Sequence, residues 1–343
     1  MLKERNESLD IARGIGMIGV ILIHMEFVGL YPACAAFCVP IFFLISGYLT
    51  RPATDLKKYI LKRAKQLMLP YAFTCTVIIV LAFALSLMRA DAASPGETLI
   101  KWAYAALYGA GDEYTSPFYI PSIGAIWFLW ASLWGMILLQ LVLKIAKVMW
   151  QSFAVLAIFL LGLITARFIW LPFSIQAGMC AAGFMYIGYE VRELFPMYVT
   201  WRGELKAMLL AGCAVAYGLF CYFFEGFWLV HCEIAHGPLD IIGSLAGCVL
   251  VMAVSELIAR RGRLSKRVLA AIGRYSLVVL CMHIIELDIF PWDAVCAVMV
   301  SAGISQYLAW NVIVRLLKVT WIALASTACV KSPVARRIFS IKD

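Results

Sequence analysis

Arginine and histidine stand at the two ends of an otherwise apolar stretch, ARGIGMIGVILIH at residues 12–24. Eleven residues of α-helix rise about 16 Å and make three turns plus about 20°, which places Arg13 and His24 on one helix face. Asp10 precedes Arg13 by three residues on that face, where a carboxylate can orient the guanidinium. Because a neutral imidazole is a base near neutral pH, this face combines a cation with a group able to deprotonate a hydroxyl.

Composition identifies the surroundings of this helix as a membrane. The 343 residues are 64% apolar and 14% charged, with a mean hydropathy of +0.91, whereas soluble globular proteins carry about 25% charged residues. We therefore predict an all-α fold, a polytopic helical bundle that crosses the cell inner (plasma) membrane several times.

About ten segments have the length of roughly 20 residues that a helix needs to cross the hydrocarbon. They are 11–30, 33–50, 70–89, 122–143, 149–168, 174–190, 206–224, 240–258, 268–289 and 307–330. The apolar segment 293–305 is shorter, and we predict an outer loop or re-entrant piece there, with an eleventh span as the alternative.

Positive charge sets the predicted orientation. Most of the 29 Lys and Arg residues share one side if the N terminus is cytoplasmic, and such residues concentrate in cytoplasmic loops. We therefore predict both termini in the cytoplasm, with a basic cytoplasmic segment at 51–69 and a cytoplasmic tail at 331–343. The segments 90–121 and 225–239 become outer loops, each long enough to cover a cavity. Since the net charge of +9 is mainly this topology signal, no nucleic-acid partner is predicted.

The arginine and histidine of the first span allow two interpretations. In the structural one, Arg13 extends to the inner interface and His24 makes a single hydrogen bond between helices. In the functional one, both face a bundle interior or a wet cavity, as ionisable residues at membrane depth usually do. The second interpretation predicts a site running from the cytoplasm to mid-membrane, with the cation at its mouth and the base at its bottom.

Five stretches of the chain combine charged, aromatic and small residues at marked positions. They are LDIARGIGMIGVILIH (9–24), PIFFLISGYLT (40–50), KKYILKRAKQLMLPY (57–71), AIWFLWASL (125–133) and IGRYSLVVLCMHIIE (272–286). Taken in this order, the five resemble the motifs of the acyltransferase-3 family of integral membrane acyltransferases. Each motif alone is loose, but five in sequence are specific. The resemblance implies one integral membrane acyltransferase domain over residues 1–343, most similar to sugar O-acetyltransferases of the fucose 4-O-acetylase type.

The resemblance also implies an activity and its residues. Such enzymes move an acyl group other than an amino-acyl group, usually acetyl from cytoplasmic acetyl-CoA, to a hydroxyl of a cell-surface or exported carbohydrate. His24 and Arg13 carry over as the catalytic pair and Arg63 as a donor-binding residue. Gln66 stands where the family often has a second arginine, so Lys62 and Lys65 are the expected sources of further charge.

The chemistry of the donor agrees with a basic binding segment. Acyl-CoA is a polyanion, and an arginine fork can bind two phosphate oxygens at once. The cluster at 51–65 and the stretch RRGRLSKR (260–267) both meet this need. Either can instead be an ordinary positively charged cytoplasmic loop.

Five further residues are predicted substrate contacts, each with a structural alternative: Asp10, Ser46, Trp127, His283 and Glu286. Ser46 would donate to the developing oxyanion, or allow close helix packing before a glycine. Trp127 would line the donor tunnel or only pack. His283 and Glu286 lie three residues apart on one helix face, where they would contact the acceptor or pair with each other.

Acetyl-CoA is the predicted donor substrate, and no metal is predicted. His231, Glu233 and His236 suggest metal ligands, but the two histidines are five residues apart rather than the four that align ligands on a helix.

Two other functions compete with the enzyme. A transporter would move an acylated or anionic metabolite without consuming a thioester, and a non-catalytic membrane module would keep the scaffold alone. The partners predicted for the enzyme are the acyl-CoA donor, a carbohydrate acceptor and the lipid bilayer, and homo-oligomers are compatible with the sequence.

Overall fold

The computed structural model describes residues 6–25, 27, 29–88 and 94–341. The described chain is helical almost throughout and divides into two compact units. The first unit consists of residues 1–63 and 127–276, and the second of residues 64–126 and 277–343. The first four residues of the predicted outer loop 90–121 and the last two of the predicted tail 331–343 lie outside the described residues.

Sixteen α-helices and one small hairpin make up the described chain. In order the helices are α1 (Glu7–Ile23), α2 (Tyr31–Phe37), α3 (Pro40–Tyr48), α4 (Leu56–Met88), α5 (Pro95–Tyr108), α6 (Trp127–Ile145), α7 (Val148–Thr165), α8 (Ile175–Thr200), α9 (Gly203–Tyr222), α10 (Pro238–Arg261), α11 (Leu264–Arg274), α12 (Ser276–Ile289), α13 (Trp292–Ser301), α14 (Gln306–Leu308), α15 (Arg315–Lys331) and α16 (Pro333–Ile338), and strands β1 (Phe227–Trp228) and β2 (Glu233–Ile234) pair antiparallel between α9 and α10.

Seven helices of the described residues are long and apolar enough to cross a membrane, or eight if α11 and α12 form one span broken at Tyr275. The all-α, polytopic membrane fold is thereby confirmed, but the predicted count of about ten is not. The predicted spans 11–30 and 174–190 correspond to α1 and α8, which are not among the seven. Neighbouring helices bury more than half of α1, so it presents little surface to lipid and can carry charge.

The first helix differs from its predicted span at both ends. It begins at Glu7 because the Asn6 side chain accepts hydrogen bonds from the backbone N–H groups of Ser8 (3.0 Å) and Leu9 (3.4 Å), which are otherwise unsatisfied at a helix start. It ends at Ile23, and Gly29, with φ of +83°, turns the chain before the second helix begins. The predicted span 11–30 therefore starts four residues late and runs past the helix end.

Glycines let helices of the first unit pack backbone against backbone. A Cβ on Gly14 would overlap the carbonyl of Leu269 in α11, and one on Gly273 would overlap the carbonyl of Asp10 in α1. Small residues at such crossings let helices approach closely where lipid offers no hydrophobic driving force. The first helix is thereby held against α11 along its N-terminal half, the half that the charge pattern predicts to face the cytoplasm.

The predicted outer loops contain regular structure. Residues 95–108 of the first form α5, which begins with a capping box between Ser94 and Glu97. The second contains the β1–β2 hairpin, whose turn holds Cys232 at φ of +55°. A hydrogen bond with Cys180 and burial raise the pKa of the Cys232 thiol well above its usual range.

The second unit contains most of α12, whose residues from Val278 to Glu286 are buried. A cluster of buried residues, Trp292, Cys296, Ala309 and Val314, joins α13 to the start of α15. Residues Ala309–Val314 form a π-helical turn directly before α15, a feature that occurs often at functional sites. The predicted short segment 293–305 lies largely within α13, whose ten residues are too few to cross a membrane.

Candidate functional site

Arg13 and His24 both lie on α1, and both are half-buried. His24 is the residue that ends the helix, and its backbone remains helical with φ of −77° and ψ of −5°. With helical backbone from Arg13 to His24, ideal helix geometry gives a rise of about 16 Å between the two residues. The sequence predicts His24 inside a continuous span, whereas the structure places it beside the turn that leads to α2. Asp10 is almost fully buried on the same helix, with 3% of its surface exposed.

The remaining residues of the stretch hold this helix in place. A Cβ on Gly16 would come within 2.7 Å of the Ile41 side chain in α3, and one on Gly19 within 3.1 Å of Cys38 at the end of α2. At the helix start, the Ser8 hydroxyl donates to Glu256 of α10 at 2.5 Å. The arginine and the histidine are therefore carried by a helix with close neighbours on several sides.

Arg63 differs from the lysines beside it. Its guanidinium lies over the Tyr59 ring, 5.3 Å from the centroid, and the residue is half-buried, whereas Lys62 and Lys65 are exposed. A guanidinium over an aromatic face is restrained without losing its charge. Of the three predicted donor-binding residues, Arg63 has the most defined position.

The alternative basic stretch at 260–267 is engaged with carboxylates of the protein. Arg260 pairs with Glu256 at 2.8 Å, and Lys266 pairs with Glu7 of α1 at 2.5 Å. The first pair lies within α10, and the second joins α11 to α1.

Ser46 and Trp127 occupy packed positions. The Ser46 hydroxyl donates to the Phe42 carbonyl of its own helix at 2.7 Å. Trp127 opens α6 with 6% of its surface exposed and makes an edge contact with Phe128, which stacks on Phe43 at 5.0 Å. These contacts agree with the structural alternatives, while oxyanion donation and tunnel lining stay predictions.

His283 and Glu286 contact each other in the interior of the second unit. The His283 Nδ1 lies 3.2 Å from the Glu286 Oε2, and the two side chains are 1% and 0% exposed. Two further residues meet this carboxylate: the Trp292 indole N–H donates to Oε1 at 2.5 Å, and the Lys318 ammonium lies 3.6 Å from it. The sequence assigned no role to either, since Lys318 reads as a charge near a span end.

A family model described as an acyltransferase domain matches residues 6–330. The chain belongs to the acyltransferase-3 family. A search of curated proteins and a search of solved structures each find no match.

Membership of the acyltransferase-3 family supports a membrane acyltransferase that crosses the bilayer several times. The match covers all the candidate residues and extends over both compact units. Within this acyltransferase, the first unit holds most of them: Asp10, Arg13, His24, Ser46, Lys62, Arg63 and Trp127. The second unit holds Lys65, His283 and Glu286.

The hairpin histidines have local partners in this acyltransferase. His236 lies 3.3 Å from an Asp240 oxygen through Nδ1 and 3.5 Å from a Glu225 oxygen through Nε2. Across the described part of the chain, no group of three or more His, Cys, Asp or Glu residues has the arrangement to hold a metal ion.

Proposed function

We propose that this acyltransferase is an O-acetyltransferase of the cell inner membrane, similar to the fucose 4-O-acetylase type. Acetyl-CoA would enter from the cytoplasm, and the acceptor would be a hydroxyl of a cell-surface or exported carbohydrate. The observation that carries the proposal is the packed helix α1, which bears Arg13 and ends at His24, and whose ideal rise between the two residues is about 16 Å.

The donor would lie along this helix. Its phosphates need cationic partners, and the restrained guanidinium of Arg63 suits them better than a flexible lysine because its fork binds two oxygens. Arg13 would contact the donor further in. The pantetheine arm is slim and roughly as long as the rise from Arg13 to His24, so the thioester would come to lie beside the imidazole.

His24 would act as the general base. It would take the proton of the acceptor hydroxyl as the oxygen attacks the thioester carbonyl. Collapse of the tetrahedral intermediate breaks the C–S bond, and the departing CoA thiolate receives a proton. A helix end suits this role, because a histidine there is half-buried rather than enclosed and an acceptor can approach it.

The proposal is tested with purified protein in sealed vesicles whose orientation is known, with radiolabelled acetyl-CoA and a hydroxyl-bearing glycan acceptor. Label should pass to the glycan, and CoA thiol should appear, only when the donor is on the side of the termini. Glycan mass spectrometry of cells with and without the gene should show an acetyl-sized mass difference. Transfer with donor confined to the opposite side would exclude the proposed entry, and absence of any thioester consumption would exclude the enzyme.

Arg13→Lys provides a matched variant for the entry path. It keeps the charge but loses the planar fork, so transfer should fall while topology stays intact. Lys331→Arg, at the exposed end of α15, should leave transfer unchanged.

A further inference from the structure

The second unit contains a buried charge network whose centre is the Glu286 carboxylate. Glu286 on α12 is fully buried, His283 is 1% exposed, and the Lys318 side chain from α15 is 9% exposed. An unpaired carboxylate in such a place costs several kcal/mol. The described side chains that contact its oxygens therefore determine how this carboxyl group is accommodated.

Donors from α13 and α15 contact the Glu286 carboxylate, and the Asp288 carboxylate lies close enough to interact with it electrostatically. Trp292 has only an N–H to offer, and it reaches Oε1 at 2.5 Å. The Lys318 ammonium, 3.6 Å from the same oxygen, supplies the balancing positive charge. On its other sides, this ammonium lies 5.8 Å from the Trp292 ring centroid and 5.7 Å from that of Trp310, where cation–π attraction stabilises it.

An ionised carboxylate can only accept hydrogen bonds. The imidazole nitrogen that lies 3.2 Å from Oε2 is Nδ1 of His283, so that nitrogen must carry a hydrogen. In neutral imidazole one nitrogen carries the hydrogen and the other the lone pair. The lone pair of His283 is then on Nε2, and any group that bonds to Nε2 must itself be a donor.

We propose that Lys318 is a positioning residue that, by keeping Glu286 ionised, fixes His283 as the Nδ1–H tautomer and so makes Nε2 an acceptor for a substrate hydroxyl. The hydroxyl belongs to the acceptor, so this part of the inference rests on the proposed function. The effect of Lys318 on Glu286 and His283 is independent of the proposed function, because it follows from the contacts among the three side chains.

If Lys318 has this role, substitutions that remove its charge should change the protonation of His283. Lys318→Met removes the balancing charge, so Glu286 takes up a proton or His283 becomes a cation. A protonated Glu286 can donate to Nδ1 and move the hydrogen of His283 to Nε2. Both outcomes abolish the Nδ1–H tautomer. Lys318→Arg keeps the charge and should preserve it, and Lys331→Met removes the same charge from the exposed end of the same helix.

The test reads the tautomer directly by ¹⁵N NMR of histidine-labelled full-length protein in lipid bilayers. The chain has 4 histidines, so replacing His24, His231 and His236 with Asn leaves the His283 signals alone. At neutral pH, Nδ1 should appear as N–H and Nε2 as a bare nitrogen in the parent, in Lys318→Arg and in Lys331→Met. In Lys318→Met, the signals should change to those of an imidazolium or an Nε2–H tautomer.

Two results would overturn the proposal: an Nε2–H tautomer in the parent protein, or an unchanged spectrum in Lys318→Met. The parent spectrum decides the first even if Lys318→Met does not fold. No donor or acceptor is present in this measurement, so failure of the proposed acetyl transfer would leave its outcome unaffected. In the transfer assay, carried out with all histidines present, Lys318→Met should raise the KM for the glycan by at least tenfold more than that for acetyl-CoA, and Lys318→Arg should restore it.

Discussion

The face of α1 and the network around α12 each combine a histidine with charged neighbours, yet they are built differently. His24 ends its helix and is half-buried, with the arginine of its face three turns away. His283 lies inside α12, enclosed, with Glu286 in direct contact. A general base changes its protonation state during the reaction, whereas a histidine with a fixed tautomer keeps a permanent partner on one of its two ring nitrogens.

The contacts that hold the two regions in place also differ. Helix α1 is held against α11 through backbone contacts at Gly14 and Gly273. In the α12 network, by contrast, the charged side chains are buried and pack against one another. Trp292 contacts both Glu286 and Lys318. Loss of a side chain should therefore affect activity first in one region and stability first in the other.

The largest expected effect is on catalysis by the α1 face. His24→Ala should lower acetyl transfer by about 10²- to 10⁴-fold, the usual range for loss of a general base, with little change in thermal stability. The measurement is the initial rate of label transfer in detergent-purified protein. His231→Ala, in the outer hairpin, is the control and should retain the parent rate. If His24→Ala transfers label at nearly the parent rate, His24 is not the general base. The contrast between His24 and His283 then fails.

The next effect is on stability in the α12 network. Glu286→Ala leaves the Lys318 ammonium buried beside aromatic rings without its carboxylate, and breaking a buried pair in this way costs about 3–5 kcal/mol. Thermal unfolding followed by intrinsic fluorescence should show a clear decrease in Tm. Glu225→Ala serves as the comparison, because that carboxylate is largely exposed near His236 and its loss should hardly move Tm. Equal Tm values for the two variants would contradict the distinction drawn between the regions.

A smaller effect tests how α1 is held. Gly14→Ala places a methyl group against the Leu269 carbonyl, and such overpacking costs about 1–3 kcal/mol. Gly212→Ala in α9 is the matched control, because a Cβ there meets no atom within 4 Å and alanine is the better helix former. Gly14→Ala should therefore unfold at a lower temperature than Gly212→Ala. If the two variants unfold together, α1 is not held by this backbone contact.

Local geometry explains what the sequence predicted well. The spacing of Arg13 and His24 translates directly into one helix face, because rise and rotation per residue are fixed within a helix. The same holds for His283 and Glu286, three residues apart and in contact in the structure. Composition alone was sufficient for the all-α membrane class, since a bilayer demands long apolar helices whatever their arrangement.

The sequence predicted the helix ends and the number of spans less well, because both depend on local caps, turns and tertiary contacts. The Asn6 cap and the turn at Gly29 set the limits of α1, although the apolar run continues beyond them. Helix α1 has only 17 residues, although the apolar run in the sequence is longer, so the length of an apolar run misjudges the number of spans.

By itself, the sequence determined the membrane class, the resemblance to the acyltransferase-3 family and the shared face of Arg13 and His24. Only the tertiary structure decided that Trp292 and Lys318 meet at Glu286, and that Gly14 receives the backbone of α11. The physical reason is distance along the chain. Within one helix, position follows from a fixed rise per residue, whereas residues on different helices meet only where packing brings their surfaces together.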